Sequence, residues 1–313
     1  MSETIFLELM RGIATDPAAR GLADDAAVLE VGGTTLVLTH DMIVEGVHFL
    51  PSDPPGDVAW KLVAVNLSDL AAKGARPVGA LLGYSLGPGE WDEDFAAGLA
   101  SALAAFGVAL LGGDTVSVPL GAPRTFGLTA IGEATGAVPS RAGAKAGDHL
   151  WISGSIGDAG AGLGILKGEL EGPEALVERY RNPRPRLEAG QRLASMVGAM
   201  MDVSDGLLID ASRMAEASEA AISIDLGDVP LSAAFLEALG DGREARLFAA
   251  TAGDDYELLF AAAPGDAADL LALAEEIGLP LSRIGSVGVG SGLRLSDSEE
   301  ALELPERLGW EHR

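Results

Sequence analysis

The sequence predicts an α/β (α+β) chain built as two domains. Two α/β-patterned halves and the stretch between them carry that prediction. In the N-terminal half, short apolar runs alternate with helical patterns. The stretch from Gly136 to Gly147 is rich in Gly, Ala and Pro and loses that periodicity. A second series of apolar runs and helical patterns follows it. The expected domains are 1–136 and 148–313, with 137–147 as linker.

In order, Ala26–Val31 and Thr34–Thr39 read as strands of a hairpin turned by Gly32-Gly33. Val58 to Ala72 has helical spacing, with Leu62, Val63, Leu67 and Leu70 available for a core face. Pro77–Leu86 reads as a strand, Asp92–Phe106 as a helix, Val108–Leu111 as a buried strand and Thr125–Ala134 as another. In the second half, strands are expected at His149–Ser153, Met200–Val203, Ile222–Leu226, Glu257–Ala262 and Ser282–Val289. Helices are expected at Ala159–Leu170, Leu187–Val197, Leu207–Ala217 and Ala267–Ile277.

Composition narrows the function. Of 313 residues, 48% are hydrophobic and 22% charged, as in ordinary globular proteins. With no cysteine, disulfides, thiolate zinc sites and Cys nucleophiles are excluded. Acids outnumber bases 47 to 21, a formal charge of −26 that repels nucleic acid and anionic membranes. The same charge repels nucleotides unless divalent cations stand between. The N-terminus lacks a basic region and a cleavage site, so a cytoplasmic protein is expected. Phe95 to Gly113 is uncharged for 19 residues, yet Ala- and Gly-rich and flanked by Asp94 and Asp114. That reads as a buried helix and strand and not as a membrane span.

The common nucleotide motifs are missing. There is no Gly-Lys dipeptide, hence no P-loop, and no G-x-G-x-x-G. What recurs is Asp beside strand ends and glycine turns: Asp24-Asp25, Asp41, Asp114 after Gly112-Gly113, Asp202 and Asp205 around Ser204, and Asp254-Asp255 after Gly253. Asn66, Asp69 and Lys73 share one helical face. Single carboxylates on separate loops suit Mg²⁺, which keeps several waters and is shared with substrate phosphates. Gly112-Gly113 and the helix start after Gly206 offer close backbone approach to phosphate. Locally each station also has a plain reading. Asp205 reads equally as an N-cap, and Asp24, Asp57 and Asp148 as turn or cap residues. His48 could be structural and Trp310 a packing anchor.

Taken in order, the stations resemble the thiamine-monophosphate kinases. The resemblance rests on Asp24-Asp-Ala-Ala-Val-Leu, Asp41-Met-Ile-Val-Glu-Gly-Val-His48-Phe and Val65-Asn-Leu-Ser-Asp69-Leu-Ala-Ala-Lys-Gly-Ala. It continues through Gly112-Gly-Asp114-Thr, Ser140-Arg141 to Asp148, Met201-Asp-Val-Ser-Asp-Gly206 and Gly253-Asp-Asp-Tyr-Glu-Leu-Leu, and runs to Gly309-Trp310. It implies the two-domain fold of the aminoimidazole ribonucleotide synthetase-like superfamily, with N-terminal domains pairing in a homodimer. The implied reaction transfers the γ-phosphoryl of ATP directly to thiamine monophosphate. Asp25, Asp41, Asp69, Asp114 and Asp202 would hold Mg²⁺, and Asp205 a further ion. Thr39 and His40 belong to the same metal set. His40 stands where the family usually has a small hydroxyl residue, which leaves only its backbone carbonyl for that role. Gly113, Asp114, Arg141 and Ser204 would contact ATP. His48, Asp254 and Trp310 would contact the acceptor, Asp254 replacing a commoner Glu. Ala96 falls near a Tyr that often meets the base in the family.

No general base is assigned, because the acceptor phosphate is itself the nucleophile. Two alternatives stand beside this reading: another enzyme of the superfamily, such as aminoimidazole ribonucleotide synthetase, and a non-catalytic Mg-nucleotide-binding protein.

Overall fold

The structure, a computed structural model, describes residues 3–87, 89–298 and 300–311. After a short helix α1 (Glu3–Arg11), the first half holds β1 (Ala27–Val31), β2 (Thr34–Val44), α2 (Pro55–Ala72), β3 (Arg76–Leu86), α3 (Gly89–Phe106), β4 (Ala109–Ser117) and β5 (Thr125–Ala134). These strands form one sheet in the order β1-β2-β5-β3-β4, in which only β3 and β4 run parallel. The hairpin between β1 and β2 turns on Gly32 and Gly33, at φ of 59° and 87°, a conformation that side chains resist. Val37, Ile43, Phe126, Leu128 and Ala130 pack on the α2 and α3 side of the sheet.

The second half holds β6 (His149–Ser153), α4 (Asp158–Leu166), α5 (Glu174–Arg181), α6 (Leu187–Leu193), β7 (Ala199–Val203), α7 (Leu207–Ala217), β8 (Ala221–Asp225), α8 (Ala233–Leu239), α9 (Arg243–Ala252), β9 (Glu257–Ala262), α10 (Ala267–Ile277), β10 (Leu281–Gly288), β11 (Gly292–Asp297) and β12 (Glu300–Leu302). Seven strands make its sheet, ordered β12-β11-β8-β10-β6-β9-β7, with β8 and β11 the parallel pair. Strict alternation divides β7: Met201 and Val203 join the core under α7, while Met200 faces Ala71 and Ala72 of α2.

Helix α2 positions the site. Nearly all of its residues are buried, because sheets from both halves pack on it. Its C-terminal end lies so close to α6 that a Cβ on Gly190 would sit 1.9 Å from the Ala71 carbonyl oxygen. Polar residues on such a helix need partners, and those partners turn out to be the acidic stations.

Two expectations about elements change. β2 extends to Val44, so Asp41 lies inside a strand and not at its end. β4 extends to Ser117, and all of it is exposed, including Leu110, Leu111 and Val116. The apolar run that read as a buried strand is therefore an open edge of the first sheet.

Candidate active site

The long-range result of this packing is a carboxylate cluster between the two halves. Oxygen atoms of Asp25, Asp69 and Asp202 lie within 4.8 Å of one another. Asp25 comes from the loop before β1, Asp69 from α2 and Asp202 from β7. Each is held by a named donor. Ser68 Oγ donates to Asp202 Oδ2 at 2.6 Å, and Thr39 Oγ1 donates to Asp69 Oδ2 and to the Asp25 carbonyl. Lys73 Nζ, fully buried, pairs with Asp24 and lies 2.7 Å from Asp25 Oδ2. The Arg141 guanidinium pairs with Asp25 Oδ1. Asn66 fixes the next station: Asp41 N–H donates to its Oδ1 at 2.8 Å, while its own Nδ2 donates to Leu62 O at 2.9 Å. The helical face read from Asn66, Asp69 and Lys73 is therefore the face that meets β2, Asp25 and β7.

Electrostatics separate these acids. Burial opposes ionisation of Asp25, but Lys73 and Arg141 outweigh it and hold its carboxyl below the usual range. The others lack such compensation. Burial, with Asp25 and Asp205 nearby, pushes Asp41 up to about 6. Burial and the charge on Asp25 push Asp202 up to about 8, and burial with Asp41, Asp202 and Asp25 pushes Asp69 well above the ordinary value. A set of buried carboxylates that repel one another is short of positive charge. All of its donors are oxygens, the ligand type of Mg²⁺, so the residues present fit that ion.

The loop after β7 gathers the remaining stations of the second half. Asp254 N–H donates to Ser204 O at 2.7 Å, Tyr256 N–H to Val203 O at 2.8 Å and Trp310 N–H to Asp205 O at 2.8 Å. Gly309 packs so tightly that a Cβ would lie 2.5 Å from Asp205 O. Ser204, Asp205, Asp254 and the half-exposed Trp310 are thus one surface. Asp205 does not cap α7, whose N-cap is Gly206; it pairs with Arg213 at 2.6 Å.

The N–H groups just ahead of α7 are already engaged. Asp210 Oδ2 accepts the N–H groups of Ser204, Asp205 and Gly206 at 3.2, 3.1 and 3.2 Å. Its Oδ1 accepts from Arg213, and burial pushes the Asp210 carboxyl up to about 7. Sequence reasoning passed over Asp210, although its place one turn into a helix that follows Ser-Asp-Gly was a usable signal.

Four of the expected site residues, His40, Gly113, Asp114 and His48, are not among the clustered carboxylates. His40 points to the opposite face of β2 from Thr39 and Asp41, where Nδ1 meets Thr129 Oγ1 at 2.9 Å. Only its backbone stays near the cluster. Asp114 pairs in register with Gly83, three strands from Asp41, on the same outer face as His40 and Met42. Gly113 is locked beside β3, since a Cβ there would lie 1.9 Å from Leu82 O. His48 lies just past β2, its Nδ1 accepting from Val44 N at 3.1 Å. Among the plain readings, Asp148 closes a turn onto Lys145 N at 2.8 Å, and Asp24 is tied up by Arg20 and Lys73.

Comparison with known proteins decides the family. The AIR synthase related protein N-terminal domain matches residues 23–134, and its C-terminal domain matches 145–298. Thiamine-monophosphate kinase of Caulobacter vibrioides is 41% identical over 306 residues, covering 95% of this chain and 86% of that protein. The chain belongs to the thiamine-monophosphate kinase family. The Escherichia coli K12 kinase is 36% identical over 275 residues, with 85% of this chain and 83% of that protein covered. Among solved structures, AaThiL complexed with AMPPCP and TMP superimposes with a TM-score of 0.85 at 30% identity, covering 100% of this chain and 97% of that one. The kinase from Stenotrophomonas maltophilia K279a gives 0.79 at 38% identity, covering 94% and 95%. The two-domain α/β architecture is therefore that of the AIR synthase related proteins.

Proposed function

We propose that the chain phosphorylates thiamine monophosphate with ATP, giving thiamine diphosphate and ADP. One observation carries the reading: carboxylates from both halves, Asp25, Asp69 and Asp202, converge beside Arg141 and adjoin the loop that holds Ser204, Asp254 and Trp310. Mg²⁺ held by Asp25, Asp41, Asp69 and Asp202, with Asp205 taking a further ion, would supply the positive charge that lets polyphosphate approach a chain of net charge −26.

The residues do the rest by position. Arg141 offers a planar fork to phosphate oxygens once released from Asp25. Ser204 sits on a loop fixed by Asp210, so its hydroxyl meets the nucleotide from a rigid support. Trp310 presents a half-exposed indole to a cationic heteroaromatic acceptor, Asp254 offers it a carboxylate, and His48 adds a polar contact. The attacking oxygen belongs to a phosphate, so alignment replaces proton abstraction.

The two domains are taken as 1–136 and 148–313, with 137–147 as the linker that carries Arg141. A homodimer through the N-terminal domains is also proposed. The open edge β4 and the outer sheet face expose Leu81, Leu110, Leu111, Val116 and Met42, more apolar surface than a free sheet edge tolerates. Gly113, Asp114 and the outer face bearing His40 would then be covered by the neighbouring copy, and Asp114 would serve a site only there.

The test is a coupled assay on purified protein with Mg-ATP and thiamine monophosphate. ADP and thiamine diphosphate are expected to appear in equal amounts. Turnover of formylglycinamidine ribonucleotide with no turnover of thiamine monophosphate would sink the reading.

A further inference from the structure

Helix α2 buries one charge that the metal cluster does not use. Lys61 is 2% exposed on a helix whose neighbours Val58, Leu62 and Val65 are core. A buried ammonium costs several kcal/mol unless paired. Its carboxylate partner among the described residues is Asp254 of the other domain, with Nζ 2.8 Å from Oδ2. The same Nζ stands 3.9 Å above the centre of the Tyr180 ring.

Asp254 is built into its place. It has φ of 64° and Tyr256 has φ of 52°, left-handed values that non-glycine residues hold only when their surroundings impose them. Here the imposition is visible: both backbone N–H groups are bound by the loop after β7. Tyr256 Oη donates to Asp254 Oδ1 at 3.1 Å, so each carboxylate oxygen has its own donor. About a third of the side chain, 30%, remains open.

We propose that Lys61 is a positioning residue for the acceptor, holding the Asp254 carboxylate aimed into the cleft from across the domain boundary. The proposal rests on the reading that Asp254 contacts the acceptor. A purely structural latch is the competing explanation, but the boundary already has latches beside it. Trp60 Nε1 donates to Pro183 O at 2.9 Å, and Arg181 Nε pairs with Asp53 at 3.3 Å. Neither touches Asp254. Lys61 is therefore not needed to hold the domains and is placed to act on one side chain.

Kinetics of Lys61→Met, Lys61→Arg, Asp254→Asn and the Lys61→Met/Asp254→Asn double variant test this, with acceptor binding followed independently by tryptophan fluorescence. Lys61→Met is expected to raise the KM and Kd for thiamine monophosphate about tenfold while leaving the KM for ATP within about twofold. Lys61→Arg, which retains the charge, should recover most of that loss. The double variant should bind the acceptor no worse than Asp254→Asn alone. An unchanged acceptor Kd in Lys61→Met, beside a weakened one in Asp254→Asn, overturns the proposal and leaves the Asp254 reading intact. An unchanged Kd in Asp254→Asn removes that reading and the proposal with it. Equal losses for both substrates, or additive losses in the double variant, also overturn the role.

Discussion

At the scale of the residue, the site is a set of charges held apart from their natural partners. Asp25 has Lys73 and Arg141, whereas Asp69 and Asp202 have hydroxyl donors and one another. Hydroxyls orient a carboxylate without neutralising it, so the repulsion raises these acids' proton affinity and is offset by proton uptake until a cation arrives. Asp202→Asn should relieve it. The amide oxygen can still accept from Ser68, while a buried acid that must either ionise or take up a proton is replaced by a neutral group. Without metal, the variant is expected to melt a few degrees higher, corresponding to ~1–2 kcal/mol, and to lose about 10²–10³-fold in kcat. A calorimetric melt lowered by the change, or wild-type turnover, would contradict this account. The acidic stations themselves were legible, because most stood beside a glycine turn or an expected strand end and Asp69 shared a helical face with Asn66 and Lys73. Asp210 and Lys61 were not. Asp210 acts on backbone N–H groups four to six residues earlier, and Lys61 on an aspartate 193 residues later. The first left a local signal, an Asp one turn into the helix after Ser-Asp-Gly, that goes unused in the motif reading; the second has no spacing that a linear pattern could reveal.

At the scale of the element, α2 and β4 mark the extremes. α2 was readable in extent and in its polar face, since Asn66, Asp69 and Lys73 fall at helical spacing and each found a partner. β4 was misread as buried because apolar composition reports what a strand prefers to touch, not whether anything is there. Short elements α5, α8, α9, β11 and β12 escaped, their patterns spanning too few residues to stand out. The exposed face of β4 carries its own prediction. Leu111→Lys or Val116→Lys, at positions 57% and 51% exposed, should leave the chain folded. If the face is a subunit contact, light scattering will show the molecular mass halved, with turnover falling at least tenfold as Asp114 is withdrawn. A protein whose mass and rate are both unaffected would remove the dimer from the proposal.

At the scale of the molecule, the fold class and the order of stations were visible in sequence, but the convergence of the cluster was not, since it depends on how two sheets pack on one helix. That packing links stability to pH. Asp41, Asp202 and Asp69 have folded-state values raised above 3.8, to about 6, to about 8 and well upward respectively. A carboxyl whose value rises on folding binds more protons in the native state, so its contribution to stability is fully present below 3.8 and is lost as pH climbs through the folded value. The metal-free protein should therefore lose melting temperature between pH 4 and about 8. Mg²⁺ requires the ionised form, so its stabilising increment should grow between pH 6 and 8 as fewer protons must be displaced. Thermal melts at fixed ionic strength, with and without Mg²⁺, measure this directly. An increment that does not change with pH would show that the raised carboxyls are not the metal's ligands.

If Arg141 takes the phosphate role proposed above, its ion pair with Asp25 gives the resting protein a gatekeeping property. Its guanidinium is already engaged by Asp25, and the N–H groups after β7 by Asp210. A free phosphate arriving alone meets donors that are taken and acids that repel it. On the proposed roles, admission would depend on the visitor bringing its own cations, which would occupy Asp25 and return Arg141 to service. Discrimination between a metal-loaded nucleotide and the many bare anions of a cell would thus be placed ahead of any contact with base, sugar or acceptor.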